Sequence, residues 1–294
     1  MKLSGILNVN KPIGITSREA VDMVQRLVRP AKVGHAGTLD PLATGVLVVC
    51  VGSATRLIEY VQRMPKSYIG TFLLGRRSET EDIEGRVVEM SDPPVPALEE
   101  ITLAAKKLEG NIMQRPPAFS AIKINGRRAY KMARSGERVE LQPRPVTVHR
   151  IAVRSYEYPQ LTLEVDCGGG TYIRSLGRDL AESLGTRAVM SALVRTAIGN
   201  FSLDAAQDPG KLTKENIAGR LLPMISAVDY LPRLELSAEE IKRVHRGQSI
   251  AKRIAGADAA DTAAVDMEGN LVAILSSSGA ELLRPARNFL SEIG

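Results

Sequence analysis

Apolar residues at Ala20, Val21, Val24, Leu27 and Val28 recur at helical spacing, behind a capping box in which Thr16 is the N-cap and Glu19 the third helical residue. Pro30 closes that helix. The unbroken apolar run over 46–51 reads as a buried strand, and a second helix is expected over about 53–63. Residues 66–75 alternate, so that Tyr68, Gly70 and Phe72 share one strand face. Pro93-Pro94-Val95-Pro96 is a stiff connector whose last proline suits the first position of a helix running to Leu108, with Gly110 as its stop.

Asn125-Gly126 signals a tight hairpin, and residues 128–134 read as a short helix closed near Gly136. Residues 146–153 and 161–167 alternate as a strand pair. Gly168-Gly169-Gly170 then opens a helix over about 171–184 that Gly185 ends, and the sheet resumes near Ala192. A boundary is expected at Leu231-Pro232. Beyond it a capping box from Ser237 to Glu240 starts a helix ending at Gly247, and 262–266 with 271–275 form hairpin strands. The pattern gives an α/β (α+β) protein: a mixed, largely antiparallel sheet flanked by helices over 1–230, and a small β-rich domain over 231–294.

Charge adds a direction to this picture. The 294 residues carry a formal net charge of +6, which suggests a polyanionic partner. Residues 111–154 hold ten Lys/Arg against only Glu137 and Glu140, a local net of +8, with Phe119 and Tyr130 interleaved. That segment resembles an inserted arm suited to RNA phosphates and base stacking. Residues 233–294 carry eight basic and nine acidic residues, so the pull lies in the first 232. No signal-peptide core or membrane-length apolar stretch is visible, which predicts a cytoplasmic protein. Cys50 and Cys167 lie in apolar runs far apart, as buried free thiols, and no metal-ligand spacing is present.

The chemistry concentrates in Gly34-His35-Ala36-Gly37-Thr38-Leu39-Asp40-Pro41-Leu42-Ala43-Thr44-Gly45, which sets a carboxylate and an imidazole in a tightly shaped loop beside a buried strand. Asp40 has no metal set and no second acid in its motif, so it is a candidate general base or a direct nucleophile. Either role in a desolvated site calls for a cationic partner. Arg174, on the first turn of the 171–184 helix, is the candidate. The glycines before it lack both the Walker spacing and the dinucleotide fingerprint, which argues against a nucleotide cofactor.

The Asp40 loop resembles the signature of the TruB family, the bacterial synthases that make pseudouridine 55 in the TΨC arm of tRNA. Asn10-Lys11-Pro12, Lys66-Ser67-Tyr68, Arg115-Pro116-Pro117, Arg144-Pro145-Val146, Gly170-Thr171-Tyr172-Ile173-Arg174 and Leu193-Val194-Arg195-Thr196 resemble further family blocks in the family's order. The resemblance spans roughly residues 5–230. It implies a pseudouridine-synthase fold with a PUA-like C-terminal domain, Asp40 as nucleophile, Tyr68 stacked on the target uracil and Arg174 paired with Asp40. By the same resemblance His35 holds the flipped RNA loop, and Tyr172 and Leu193 line the uracil pocket. The implied isomerisation conserves atoms and oxidation state, so no cofactor is expected. The partner is the tRNA TΨC stem-loop, with no membrane and no obligatory protein partner, and a monomer suffices. The chain departs from the family at Gly169 and Val194, which removes two positive charges near the site. The rival reading is a non-catalytic RNA-binding protein or tRNA folding chaperone on the same scaffold.

Overall fold

Strand β1 (Gly5–Lys11), helix α1 (Ser17–Val28) and strands β2 (Val33–His35) and β3 (Ala43–Val51) open the chain. The computed structural model describes residues 3–120, 122–124, 126–135, 137, 139, 141–253, 261–279 and 281–289. The continuous apolar run of β3 is covered on both faces, which is why it does not alternate. Val46, Val48 and Cys50 face one core with Leu57 and Tyr60, while Leu47, Val49 and Val51 face another built with Val21 and Val24 of α1. The capping box forms as the spacing predicts: the Glu19 N–H donates to Thr16 Oγ1 at 3.1 Å, and Thr16 N–H donates to Glu19 Oε2 at 2.7 Å.

A 3-10 turn at Gly52–Leu57 and helix α2 (Ile58–Arg63) lead to β4 (Lys66–Leu74) and the short pair β5 (Arg76–Arg77) and β6 (Val88–Glu89). Helix α3 (Leu98–Lys107), β7 (Gly110–Gln114), the hairpin β8 (Lys123–Ile124) and β9 (Arg127–Arg128), and helix α4 (Ala129–Arg134) follow. Long strands β10 (Arg144–Glu157) and β11 (Gln160–Cys167), helix α5 (Ile173–Ser183), β12 (Ala188–Ile198) and β13 (Phe201–Ser202) complete the large sheet. Its order is β1-β3-β12-β4-β11-β10-β7, with β2 on β3 and β13 on β12. The β3–β12 contact is parallel and the other pairs are antiparallel. Helices α3 and α5 cover the face formed by Phe72, Leu161, Leu163 and Val165. A Cβ at Gly177 would stand 2.1 Å from the Phe72 ring, so a glycine lets α5 lie directly on β4.

From β14 (Arg233–Glu235) the chain builds a second sheet with α6 (Ala238–His245), β15 (Ile250–Ala251), β16 (Asp261–Val265), β17 (Leu271–Ser277) and β18 (Leu282–Asn288), in the order β14-β16-β17-β18-β15. One face carries its own core of Leu236, Val244, Ala264 and Leu275. The other contributes Ala263, Ile274 and Phe289 to a cluster shared with Tyr60, Met64 and Val228. Tyr60 Oη donates to Asp261 Oδ2 at 3.1 Å, and the Arg56 guanidinium lies 5.4 Å from the Phe289 ring centre. No helix among the described residues is long and apolar enough to cross a membrane.

Several boundaries differ from the sequence reading. The second helix begins at Ile58, after the 3-10 turn, and α3 begins at Leu98 because Glu100 reaches back to the Ala97 N–H at 2.7 Å, leaving Pro96 outside. Helix α5 begins at Ile173, because the Gln114 amide accepts from Tyr172 N–H at 2.8 Å and donates to Tyr172 O at 3.0 Å. That two-bond clamp keeps Tyr172 extended, with φ −99° and ψ 113°. Arg128 lies on β9, ahead of α4, and β12 starts at Ala188, ahead of Ala192. The expected stop at Gly136 lies outside the described residues.

Candidate active site

The Asp40 loop joins β2 to β3 and is held by its backbone from three directions. Ser17, the first residue of α1, both accepts from Leu39 N–H at 2.8 Å and donates to Leu39 O at 3.0 Å. Arg195, 2 % exposed on β12, donates to Val46 O at 2.7 Å, Gly37 O at 3.1 Å and Thr38 O at 3.4 Å. Lys11, fully buried at the end of β1, donates to Ile15 O at 2.7 Å, Pro12 O at 2.8 Å and Pro41 O at 3.4 Å. Gly45 has φ +99°, and a Cβ there would meet Arg195 O at 2.2 Å, so β3 and β12 approach through a glycine. The loop is thereby fixed before any ligand arrives.

Burial drives the Lys11 ammonium down to about 8, an effect that Asp40 opposes. Removing the ammonium leaves Pro12 O and Ile15 O without this donor, at about 1–3 kcal/mol per group, while Pro41 O keeps the Gly14 N–H at 2.9 Å. We therefore expect Lys11→Met to lose stability in urea denaturation by about 2–4 kcal/mol and to lower turnover through a loosened Asp40 loop. An unaltered unfolding midpoint would rule out this anchoring role.

Asp40 meets Arg174 at the end of the loop, with Asp40 Oδ2 3.2 Å from Arg174 Nε. Arg174 is 6 % exposed and occupies the first turn of α5. A cation there opposes the positive end of the helix dipole, so it must be compensated by acids and carbonyls. Its Nη1 lies 3.0 Å from Asp82 Oδ2 and donates to Thr80 O at 2.7 Å, and its Nη2 donates to Phe119 O at 3.0 Å. Asp82 is 2 % exposed and is itself oriented by Thr80 Oγ1 at 2.5 Å and the Glu84 N–H at 3.1 Å. Burial pushes the Asp40 carboxyl above the usual aspartate range; Arg174 opposes that shift and Asp82 reinforces it. A second acid thus does serve Asp40, contributed by a distant loop and absent from its own motif.

All six residues singled out from the sequence line one cavity of about 1020 Å³: His35, Asp40, Tyr68, Tyr172, Arg174 and Leu193. Tyr68 sits on β4 in register with Arg195 of β12 and Val165 of β11, and burial raises its phenol above the ordinary value. Leu193 is placed on β12 between Ala43 of β3 and Gly70 of β4. Tyr172 projects from the extended residue before α5, with the Arg144 guanidinium 5.3 Å from its ring centre and Arg144 Nη2 donating to Gly170 O at 2.6 Å. Burial lowers the His35 imidazole below its ordinary value, which favours the neutral form at pH 7.

Position 169 is filled tightly even by glycine, since a Cβ would lie 2.6 Å from Gln62 O and 3.4 Å from Lys66 Nζ. Lys66 lines the same cavity, donates to Gln62 O and to Met64 O, and is lowered to about 8 by burial. Positive charge at this end of the cavity therefore comes from Lys66 and Arg144. Sequence reasoning named neither as a site residue, and it also missed Lys11, Asp82 and Arg195. The available signal for Asp82 was the acid-rich stretch Thr80-Glu81-Asp82-Ile83-Glu84-Gly85. Cys50 and Cys167 are free and buried, and burial raises their thiols to about 12 and about 11, which leaves them unsuited to nucleophilic work. The cavity thus sets the Asp40 carboxylate, with Asp82 beside it, among the rings of Tyr68 and Tyr172 and the aliphatic Leu193, an arrangement suited to holding a planar base against a carboxylate.

The family model for TruB family pseudouridylate synthase (N terminal domain) matches residues 25–173. A protein of Arthrobacter sp. named tRNA pseudouridine synthase B is 43 % identical over 291 residues, covering 94 % of each chain. One of the same name from Dehalococcoides mccartyi is 39 % identical over 300 residues, covering 99 % of this chain and 98 % of its own. Among solved structures, a Cbf5-Nop10-Gar1 complex contains a chain with a TM-score of 0.76 and 26 % identity, covering 97 % of this chain and 84 % of that one. The Asp40 loop, the sheet that carries it and these matches agree: the chain belongs to the TruB family of pseudouridylate synthases and is an isomerase.

Proposed function

We propose that this enzyme converts uridine 55 in the TΨC stem-loop of tRNA to pseudouridine, with Asp40 as the nucleophile. The carrying observation is the Asp40 carboxylate 3.2 Å from Arg174 Nε in a cavity shared with Tyr68, Tyr172 and Leu193. The full-length relatives' name, tRNA pseudouridine synthase B, supports the substrate class. The reaction breaks the bond from N1 to C1′, turns the uracil and joins C5 to C1′; C5 loses a proton and N1 gains one, so nothing is oxidised.

A stacked base must leave the RNA loop to reach Asp40, at a cost of a few kcal/mol, offset by contacts in the pocket. Tyr68 stacks on the extruded uracil, Tyr172 and Leu193 bound its pocket, and His35 holds the opened RNA loop. Residues 1–230 act as the catalytic domain, the part of 111–154 that lies between β7 and β10 as its RNA-gripping arm, and 231–294 as a small PUA-like domain. The enzyme works in the cytoplasm as a monomer without a protein partner.

The test is tritium release from a tRNA transcript labelled with uridine tritiated at C5, using the purified protein alone. We expect release from the unaltered transcript and none from one carrying cytidine at position 55. Equal release from both overturns the site assignment. Tight binding with no release from either favours the non-catalytic RNA-binding reading.

A further inference from the structure

We propose that the Glu81–Arg178 pair is a positioning device for this reaction: it anchors the root of the basic arm to α5 and thereby holds Arg174 in place against Asp40. The inference rests on the function proposed above, and neither residue lines the catalytic cavity.

Arg174 and Arg178 are one turn apart and share a face of α5. Each bridges the same two segments. Arg174 reaches Asp82 and, through Nη2, Phe119 O at 3.0 Å. Arg178 pairs with Glu81 and, through Nη2, donates to Arg115 O at 2.8 Å. Consecutive acids on the 78–84 loop thus face consecutive arginines on the helix, and both arginines grip carbonyls of residues 115–120.

Glu81 is built into this arrangement at some strain. It has φ +63°, a region that side chains with a Cβ seldom occupy. Its backbone is fastened to β12, where Met190 N–H donates to Glu81 O at 3.0 Å and Ile83 N–H donates to Met190 O at 3.1 Å. Its carboxylate accepts from Ser175 Oγ at 2.9 Å as well as from Arg178. The Glu81 and Arg178 side chains are 14 % and 11 % exposed, so the pair is largely shielded from competing water. Asp179 Oδ1 accepts from Arg178 Nε at 2.9 Å and fixes the plane of the guanidinium.

The gripped segment needs such anchors. Residues 115–120 begin Arg115-Pro116-Pro117, and two prolines in succession have no N–H with which to extend the β7 ladder. The segment is held by carbonyls instead, and it leads straight into the arm. Tyr130 N–H of α4 donates to Ser120 O at 3.0 Å, and Ala129 N–H donates to Ile122 O at 2.7 Å. A continuous chain of contacts therefore runs from α4 through Phe119 to Arg174 and Asp40. Releasing Arg115 loosens Phe119, and with it one of the carbonyl acceptors that orient Arg174.

The experiment compares the full-length enzyme with Arg178→Met, Glu81→Gln and the double variant. Single-turnover tritium release at saturating enzyme is measured beside tRNA affinity by filter binding and beside hydrogen exchange of the free protein. We expect Arg178→Met to slow release by about tenfold to a hundredfold with affinity unchanged within about twofold. Amides of residues 118–120 should exchange faster without RNA, while those of β3 and β4 do not. The double variant should be no slower than Arg178→Met, as for two parts of one unit. Unchanged release, a loss seen equally in affinity, or faster exchange throughout the sheet would each overturn the positioning role. Absence of release by the wild type sinks the pseudouridylation reading separately; exchange at 118–120, read without RNA, then decides the anchoring alone.

Discussion

Asp40→Asn is expected to lower tritium release by at least about a thousandfold while leaving tRNA affinity within about threefold. The amide keeps the shape of the carboxylate and can still accept from Arg174 Nε, 3.2 Å away in the wild type, but it cannot act as an anionic nucleophile. Stability gives an independent check. Burial raises the Asp40 pKa in the folded state, so between the unfolded and folded values the folded chain binds the proton more readily. Ionising Asp40 therefore costs stability as pH rises through that window. Asp40→Asn should consequently be at least as stable as the wild type at pH 7, by urea denaturation. An inactive variant that also unfolds at lower urea would point to a structural defect instead of a lost nucleophile. The same shift sets the expected acid limb of the wild type: release should fall as pH is lowered through an apparent pKa above the free aspartate value of about 3.9, because only the carboxylate can serve as the proposed nucleophile.

Arg174→Met combines a catalytic with a structural loss. It removes the cation between Asp40 and Asp82, together with the donors to Thr80 O and Phe119 O. With Asp82 2 % exposed, breaking this buried pair is expected to cost about 3–5 kcal/mol in urea denaturation. Arg174 also opposes the upward shift of Asp40, so in whatever activity remains the acid limb should move to higher pH. Arg174→Lys keeps the charge but cannot serve four acceptors in fixed geometry, Asp40, Asp82, Thr80 O and Phe119 O. We expect it to recover part of the stability and little of the rate, which should stay about a hundredfold below wild type. An unshifted acid limb in Arg174→Met would remove Arg174 from control of Asp40.

The elements that the sequence revealed are those whose cause is local. The α1 capping box needs only Thr16 and Glu19, the buried β3 run needs only its own apolar residues, and the alternation of β4 places Tyr68 on the inner face with Phe72. Strand β1 escaped notice because its buried face includes polar residues. Asn8, 4 % exposed, is accepted there because its Nδ2 donates to Ser202 O at 2.8 Å, far along the chain. The start of α5 was misjudged for a similar reason: Thr171 and Tyr172 are compatible with a helix, but the Gln114 clamp from β7 holds Tyr172 extended.

The site divides along the same line. The glycines, proline and aspartate of 34–45 identify a shaped loop with one candidate carboxylate, and the first turn of a helix offers Arg174 to it, so the sequence by itself determined the fold class and the pairing of Asp40 with Arg174. Tertiary structure alone decided that Asp82 completes that pair, that Lys11 and Arg195 hold the loop by its carbonyls, and that Gly169 gives way to Lys66 at the cavity edge. A buried charge is legible only with its partner. These partners lie on other strands and loops, and no local pattern distinguishes a lysine that points to water from one with three carbonyls around it.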